Sequence, residues 1–197
     1  MRRPGASAPV DWLVVGLGNP GPSYARSPHN VGFLVAARLA ERWELTRAKD
    51  RWKGRYAEGR VPLPDGRPGP RVGVLQPQTF MNESGRSAGP ARGMLKVPLD
   101  HVVVAHDEID LPFGEVRTRL GGGLAGHNGL KSLKREFASP DFHRVRIGVG
   151  RPDSTDPDIV AAYVLGAWQQ PAADVEALVD AAATALERTV QDAAESA

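Results

Sequence analysis

The sequence predicts one α/β domain of three layers, in which a mixed, mostly parallel sheet lies between helices. Short apolar runs alternate with helix-length amphipathic segments along the whole chain. A length of 197 residues suits one domain, and a hydrophobic share of 41% is sufficient for a core. No internal repeat or long linker divides the sequence. We expect residues 1–10 to be a flexible N-terminal tail and residues 11–197 to form the domain.

The individual elements follow from apolar periodicity and from the positions of glycine and proline. Strands are expected at residues 11–17, 52–61, 71–75, 101–105, 115–119 and 145–149. Helices are expected at residues 31–43, 84–95, 128–137 and 171–194, and residues 158–165 fit either a helix or an extended segment. The strand at 101–105 is the most apolar, which favours a central position, and the charged segment 106–110 should end it.

Composition restricts the possible functions. The chain contains no cysteine, which excludes disulfides, thiolate metal sites and cysteine nucleophiles. No stretch approaches the ~18 apolar residues of a membrane span, and the first residues lack the apolar core of a signal peptide, so we expect a cytoplasmic protein. The net charge is only +2, but basic residues concentrate in 42–60 and 117–151. This asymmetry is typical of a polyanion-binding protein, although it also fits ordinary solvated faces.

Residues 13–33 hold the densest group of candidate functional side chains. An apolar run leads into a turn rich in glycine and proline, and Asn19, Tyr24 and His29 follow before the first predicted helix. Three glycines of this turn match the GxGxxG pattern of dinucleotide-binding loops. However, three prolines prevent the continuous helix that this loop requires, and no acidic residue ends a second strand at the right place. The stretch is therefore more typical of a rigid polar loop beyond a strand.

His29 and Asp107 are candidates for a catalytic pair. Both follow predicted strands, and the carboxyl ends of parallel strands meet at one edge of a sheet. A carboxylate beside an imidazole fixes its tautomer and raises its pKa, which makes a better general base. Two alternatives stay open: His29 as a core histidine bonded to backbone, and Asp107 as a turn cap beside Asp110. A metal site in 106–110 is not expected, because strand neighbours point to opposite faces and no zinc-type spacing occurs.

Three asparagines in predicted loops can donate and accept hydrogen bonds without carrying charge. They are Asn19, Asn82 and Asn128. Individually, each fits a turn or cap position. Together, beside a base, they could orient a carbonyl group and stabilise its developing oxyanion.

Four blocks of the sequence together resemble the bacterial peptidyl-tRNA hydrolase family. They are GLGNPGPSYARSPHNVGF, PQTFMNESG, VAHDEIDLPFGEVRTRLGGGLAGHNGLKS and FHRVRIGVGRP, in the family's order, between residues 13 and 166. The resemblance implies hydrolysis of the ester between a peptide and the 3′ end of tRNA, by a monomer that needs no cofactor. A noncatalytic RNA-binding protein of the same fold is the alternative.

The resemblance also implies roles for individual residues. His29 matches the catalytic histidine, Asp107 the acid that supports it, and Asn19 the asparagine that helps select substrates with a blocked amino group. Contacts with the peptidyl-adenosine end are implied for Tyr24, Phe80, Asn82 and Asn128. Contacts with tRNA phosphates are implied for Arg117, Arg119 and Arg146. Lysine is usual at the first two of these arginine positions, and arginine keeps the charge and adds bidentate reach.

The chain departs from the family pattern at three places. Leu124 and Ala125 replace the usual His-Gly, Gln76 replaces a common lysine, and Pro28 stands where arginine is frequent. None of these changes removes a catalytic residue. They bear on the shape and mobility of residues 121–126, which fit either a lid or a fixed turn, and on the affinity for tRNA.

Overall fold

The computed structural model describes residues 9–195, which form seven β-strands and five α-helices. The strands are β1 (Trp12–Gly16), β2 (Lys49–Arg51), β3 (Gly54–Pro62), β4 (Pro68–Pro77), β5 (Val102–Glu108), β6 (Val116–Leu120) and β7 (His143–Gly148). The helices are α1 (Val31–Arg42), α2 (Gly85–Leu95), α3 (Asn128–Phe137), α4 (Pro157–Leu165) and α5 (Ala172–Glu195). Most of the predicted tail lies outside the described residues, and Val10, at its end, is buried.

All seven strands form a single mixed sheet in the order β2-β3-β4-β1-β5-β7-β6. The central strands β4, β1, β5 and β7 are parallel to one another, whereas β2, β3 and β6 pair antiparallel at the two edges. Strand β1 has β4 on one side and β5 on the other, so the strand order reverses at β1. In open α/β sheets the carboxyl ends of strands at such a point are the usual place for a ligand site.

Helices cover both faces of the sheet, as the sequence predicted. Alternate residues of β1 enter different core layers: Trp12 and Val14 pack with α1 and α5, and Leu13 and Val15 pack with α2 and α3. A strand buried on both faces needs apolar residues at nearly every position. The predicted three-layer α/β class is therefore confirmed. Within residues 9–195, no helix combines the length and apolar content needed to cross a lipid bilayer.

The structure corrects two element predictions and decides a third that was left open. Strand β5 does not end at residue 105 but continues to Glu108, and all seven of its residues are buried. The charged end of β5 stays in the sheet because His29 bonds Asp107 and Arg146 bonds Glu108. The short edge strand β2 was not predicted. Residues 157–165 form a helix, which begins with Pro157 after an Asp156 cap.

Candidate active site

A cavity of about 690 Å³ opens at the carboxyl ends of β1 and β5. This position agrees with the reversal of strand order at β1. Seven residues that were predicted from the sequence line it: Asn19, Tyr24, His29, Phe80, Asn82, Asp107 and Asn128. The three predicted phosphate contacts do not line it and lie on β6 and β7.

A short 3₁₀ helix, Pro28–Asn30, holds His29 at the cavity wall. Pro28 occupies its first position, where a missing backbone N–H costs nothing. The buried side chain of Asn30 then ties this turn to the preceding loop. Its Oδ1 accepts from the backbone N–H of Asn19 at 2.8 Å, and its Nδ2 donates to the carbonyl oxygen of Asn19 at 2.9 Å. These two hydrogen bonds fix the loop at Asn19 to Asn30, the residue next to the candidate base His29.

The carboxylate of Asp107 lies between two imidazoles. His29 Nδ1 is 2.9 Å from Asp107 Oδ1 and 2.8 Å from Oδ2. His127 Nε2 lies 2.9 Å from Oδ1 of the same carboxylate. The Asp107 side chain is only 3% exposed, so both contacts form away from bulk water. Asp107 does not cap a turn with Asp110, whose backbone N–H donates to Glu108 instead.

The proton position on His127 follows from its neighbours. His127 is the N-cap of α3, and its Nδ1 accepts from the backbone N–H groups of Gly129 at 3.1 Å and Leu130 at 3.3 Å. Nδ1 therefore has no proton, so Nε2 carries it and donates to Asp107. A metal ion bridging His29, Asp107 and His127 would have to bind Nε2 of His127. In this tautomer that nitrogen carries a proton and has no free lone pair. The cap geometry thus favours a hydrogen-bonded cluster over a metal site.

His127 was missed by the reasoning from sequence. A cap position is normally filled by Ser, Thr, Asp or Asn, so a histidine directly before a predicted helix was not predicted to be functional. Strand position gave no signal either, because α3 follows the antiparallel edge strand β6 and not one of the central parallel strands. The predicted bounds of α3 itself, residues 128–137, are confirmed.

Burial and the carboxylate act in opposite directions on His29. Burial alone would lower the pKa of the imidazole, but the charge of Asp107 and the hydrogen bond to it outweigh burial. The pKa of His29 therefore lies above its ordinary value of 6.5. For Asp107, burial would raise the pKa, but the imidazoles that donate to it dominate and hold the pKa below its usual range. Asp107 stays ionised throughout the neutral range.

A third histidine, His106, lies beside the pair and has a different environment. It is 1% exposed, and its Nδ1 donates to the carbonyl oxygen of Asp107 at 2.8 Å. Its ring meets His127 edge to face, with centroids 5.1 Å apart. Complete burial, reinforced by the proximity of His127, lowers the pKa of His106 to about 3. This imidazole therefore remains neutral and packs against the ring of His127.

The amide of Asn19 has a fixed orientation. Its Oδ1 accepts from the backbone N–H of Met81 at 2.7 Å. No other contact of this side chain is found in the part of the chain described, so its NH₂ group is free to donate into the cavity. Asn82 and Asn128 are exposed on the cavity wall, and Phe80 beside them is 58% exposed. An exposed aromatic ring at the mouth of a polar cavity is typical of a binding surface.

Comparison with known proteins agrees with this architecture. Residues 13–197 match the family model described as peptidyl-tRNA hydrolase. The chain belongs to the peptidyl-tRNA hydrolase family. It is 45% identical to the peptidyl-tRNA hydrolase of Kineococcus radiotolerans over 91% of this chain and 90% of that one. The enzyme of Streptomyces avermitilis is also 45% identical, over 98% and 93% of the two chains. The solved structure of peptidyl-tRNA hydrolase from Acinetobacter baumannii shares 34% identity over 95% of this chain and 92% of that one, with a TM-score of 0.80.

Four arginines form a patch on one face of the β6–β7 pair. The register sets Arg117 opposite Arg146 and Arg119 opposite Arg144, and directly opposed residues project to the same face. Arg117 is 61% exposed and pairs with Glu115, the residue before β6. Arg146 is partly buried and bonds Glu108 at 3.1 Å. Arg119 is exposed, so the predicted phosphate contacts differ widely in how freely they could reach a ligand.

The departures from the family pattern have distinct structural settings. Pro28 starts the 3₁₀ turn before His29, where it adds rigidity. Gln76 donates from Nε2 to the carbonyl oxygen of Phe33 at 2.9 Å. Ala125 lines the cavity with a φ of +47°, a conformation that glycine adopts far more readily. The loop in this chain is therefore strained at one position.

Proposed function

We propose that this protein hydrolyses the ester bond between a peptide, or an N-blocked aminoacyl group, and the 3′ end of tRNA, and so releases tRNA for reuse. One observation carries the proposal. A buried carboxylate, Asp107, accepts hydrogen bonds from His29 and His127 inside a cavity of about 690 Å³. This arrangement fixes the tautomer of a histidine at the cavity wall, which is the requirement for a general base. Membership in the peptidyl-tRNA hydrolase family supports the choice of substrate.

The general base is Nε2 of His29. Because Nδ1 of the same ring carries the proton that is donated to Asp107, Nε2 keeps its lone pair. The raised pKa of His29 makes this nitrogen a stronger base. General-base assistance of this kind contributes ~10²–10⁴-fold to a rate.

The reaction proceeds in two proton-balanced steps. His29 takes a proton from a water molecule, and the resulting hydroxide adds to the ester carbonyl carbon to give a tetrahedral oxyanion. The protonated imidazole then returns its proton to the departing 3′ oxygen of tRNA as the ester bond breaks. Asp107 remains ionised in both steps and stabilises the transient imidazolium.

Two asparagines and a helix end stabilise the oxyanion. Asn82 and Asn128 are on the cavity wall, and their amide groups can donate to the carbonyl oxygen. Asn128 is also the first residue of α3, so the positive end of the helix dipole lies at this point. The free NH₂ of Asn19 donates to a peptide carbonyl, a group that an N-blocked substrate has and a free aminoacyl ester lacks. Tyr24 and Phe80 supply apolar contact surface to the peptidyl-adenosine end.

The arginine patch on β6 and β7 binds the tRNA backbone. Arg117, Arg119 and Arg146 share one face of this pair of strands. Phosphate contacts carry no sequence information, which suits an enzyme that accepts many tRNAs. Affinity for tRNA should therefore fall steeply as salt concentration rises. We also propose that the protein acts as a cytoplasmic monomer, and light scattering tests the oligomeric state.

Turnover of an N-blocked aminoacyl-tRNA by wild type and by His29→Ala tests the function. Wild type should release free tRNA, and His29→Ala should lose ~10²-fold or more in kcat while it still binds tRNA. His101→Ala is the matched control, because His101 is at the opposite, amino end of the sheet and bonds the carbonyl oxygen of Asp11. A wild-type protein that binds tRNA without cleaving it would instead be a noncatalytic RNA-binding protein of this fold.

A further inference from the structure

One buried arginine lies against the loop that precedes His127. This loop, residues 121–126, is the glycine loop. Arg144 lies on β7, one strand from the sheet edge. Arg144 is only 2% exposed. Its guanidinium donates to the carbonyl oxygens of Gly123 at 2.5 Å, Gly122 at 2.7 Å and Pro140 at 3.4 Å. Among residues 9–195, no carboxylate forms an ion pair with it.

A buried cation without a carboxylate is costly unless its hydrogen bonds are satisfied. Both terminal nitrogens of Arg144 have carbonyl partners, whereas its Nε has none among residues 9–195. Burial and two nearby arginines on the same face lower the pKa of Arg144, but a guanidinium still keeps its proton at neutral pH. Its donors are planar and fixed in a fork, so they hold two successive carbonyl groups in defined directions. A lysine would keep the charge but lose this fork. Arg144 is therefore suited to fixing the path of the glycine loop.

The glycine loop needs such external support. Positive φ angles occur at four of its six residues: Gly121 (+65°), Gly122 (+93°), Ala125 (+47°) and Gly126 (+75°). A backbone of this kind belongs to no helix or strand and has few hydrogen bonds of its own. On its other side, a Cβ placed on Gly122 would come within 2.3 Å of the guanidinium carbon of Arg119. Arg119 thus lies beside the loop, but among residues 9–195 only Arg144 donates side-chain hydrogen bonds to its carbonyl oxygens.

We propose that Arg144 is a positioning residue that sets the geometry of the catalytic centre through the glycine loop. The loop leads directly into His127, whose backbone N–H donates to the carbonyl oxygen of Leu124 at 2.9 Å. His127 then donates from Nε2 to Asp107 at 2.9 Å. When Arg144 no longer holds the loop, His127 leaves Asp107 in part of the molecules, and the carboxylate loses one of its two partners. Only the kinetic consequence of this inference rests on the proposed hydrolase function.

The substitution Arg144→Lys tests the role with two substrates. One is an N-blocked aminoacyl-tRNA, and the other is a short oligonucleotide that carries the same N-blocked aminoacyl ester. A positioning role predicts that kcat falls on the order of 10- to 100-fold on both substrates, with little change in KM. A role in direct phosphate contact predicts a raised KM on the tRNA substrate alone, and that result would overturn the proposal. Arg119→Lys, at the opposed position on β6, provides this contrast, because its guanidinium is exposed.

Arg60→Lys is the matched control for the chemical change. Arg60 is on β3 in the hairpin with β4, and its guanidinium donates to the carbonyl oxygen of Gly69 at 2.8 Å. The same substitution therefore removes the same kind of bond far from the cavity. We expect kcat of Arg60→Lys to stay within about twofold of wild type. An equal loss of kcat in both variants would show that the effect of Arg144→Lys comes from general destabilisation, and it would contradict the proposal.

A spectroscopic measurement tests the inference without turnover. Long-range ¹H–¹⁵N spectra of the imidazoles should show His127 protonated at Nε2 in wild type and in Arg60→Lys. In Arg144→Lys the same signals should shift toward a mixture of tautomers. Gly122→Ala is a second variant if Arg144→Lys folds poorly, because a side chain at its φ of +93° strains the loop. An unchanged His127 tautomer in both variants would refute the proposal, whether or not the wild type hydrolyses its substrate.

Discussion

The two ends of the central sheet each hold a cluster of histidines, and the clusters differ in what the imidazoles contact. At the carboxyl end, two histidines bond the buried carboxylate of Asp107 and a third bonds its backbone carbonyl oxygen. At the amino end, two histidines pack on the ring of Trp12, with centroids 4.5 and 5.6 Å from it. The first cluster consists of His29, His106 and His127, and the second of His101 and His143. Together they account for all five histidines of the chain.

The comparison shows that the partner, rather than burial, determines what a histidine can do. Burial lowers the pKa of His143, and the contact with Asp100 offsets this only in part. Burial also acts against His29, yet the charge of Asp107 reverses the direction of the shift. The amino-end imidazoles therefore serve as packing groups. Among residues 9–195, an imidazole bonds a carboxylate only at the carboxyl end.

The largest expected effect comes from removing the charge of Asp107. Asp107→Asn should lower kcat/KM by ~10²–10⁴-fold, because His29 loses its orientation and the stabilisation of its charged form. In wild type, kcat/KM should fall as pH decreases through a value above 6.5, since protonated His29 is inactive as a base. In Asp107→Asn only burial acts on His29, so the residual activity should persist to lower pH. An unchanged acid limb in the pH–rate profile would contradict the pairing.

A smaller loss is expected from His127→Asn. Asparagine is a good N-cap, so α3 should keep its start, but the donor to Asp107 disappears. We expect kcat to fall about 10- to 100-fold, the value of a hydrogen bond to a charged group, with little change in melting temperature. His101→Asn at the amino end is the matched change. Equal kinetic losses in the two variants would remove the distinction between the clusters.

Trp12→Leu tests the amino-end cluster alone. Trp12 is 3% exposed and stacks on His101, so its loss should lower the free energy of unfolding by about 1–3 kcal/mol. The catalytic residues keep their partners, so kcat and the pH–rate profile should stay close to wild type. Chemical denaturation and steady-state kinetics on the same protein check both statements. A shifted pH–rate profile would show that the two ends are coupled.

The smallest effect is expected from Ala125→Gly, which relieves strain at the carboxyl end. Ala125 has a φ of +47°, and releasing a left-handed alanine should gain at most about 1 kcal/mol after the greater unfolded-state entropy of glycine is subtracted. Ala138→Gly is the control, because Ala138 has a φ of +59° at the end of α3, away from the cavity. Both variants should be slightly stabilised, and only Ala125→Gly should alter kcat. A destabilised Ala125→Gly would show that the loop depends on the alanine methyl group.

Local pattern determined much of this protein. The apolar run of β1, the start of α1 and both ends of α3 follow from residue spacing, glycine and proline within a few positions. The same reasoning placed Asn19, His29 and Asp107 at strand ends that meet in the sheet. That inference succeeded because the topology of parallel strands converts positions in sequence into a shared edge.

Tertiary structure decided the rest, because the partners are distant in sequence. His29 and Asp107 are 78 residues apart, and only their contact shows which imidazole nitrogen carries a proton. The continuation of β5 to Glu108 depends on Arg146, a partner 38 residues away. His127 resembled an ordinary residue before a helix, and Arg144 resembled one of several strand arginines. Each acquires its role from contacts that the local sequence does not predict. His127 bonds the buried carboxylate of Asp107, and Arg144 bonds carbonyl oxygens of the glycine loop.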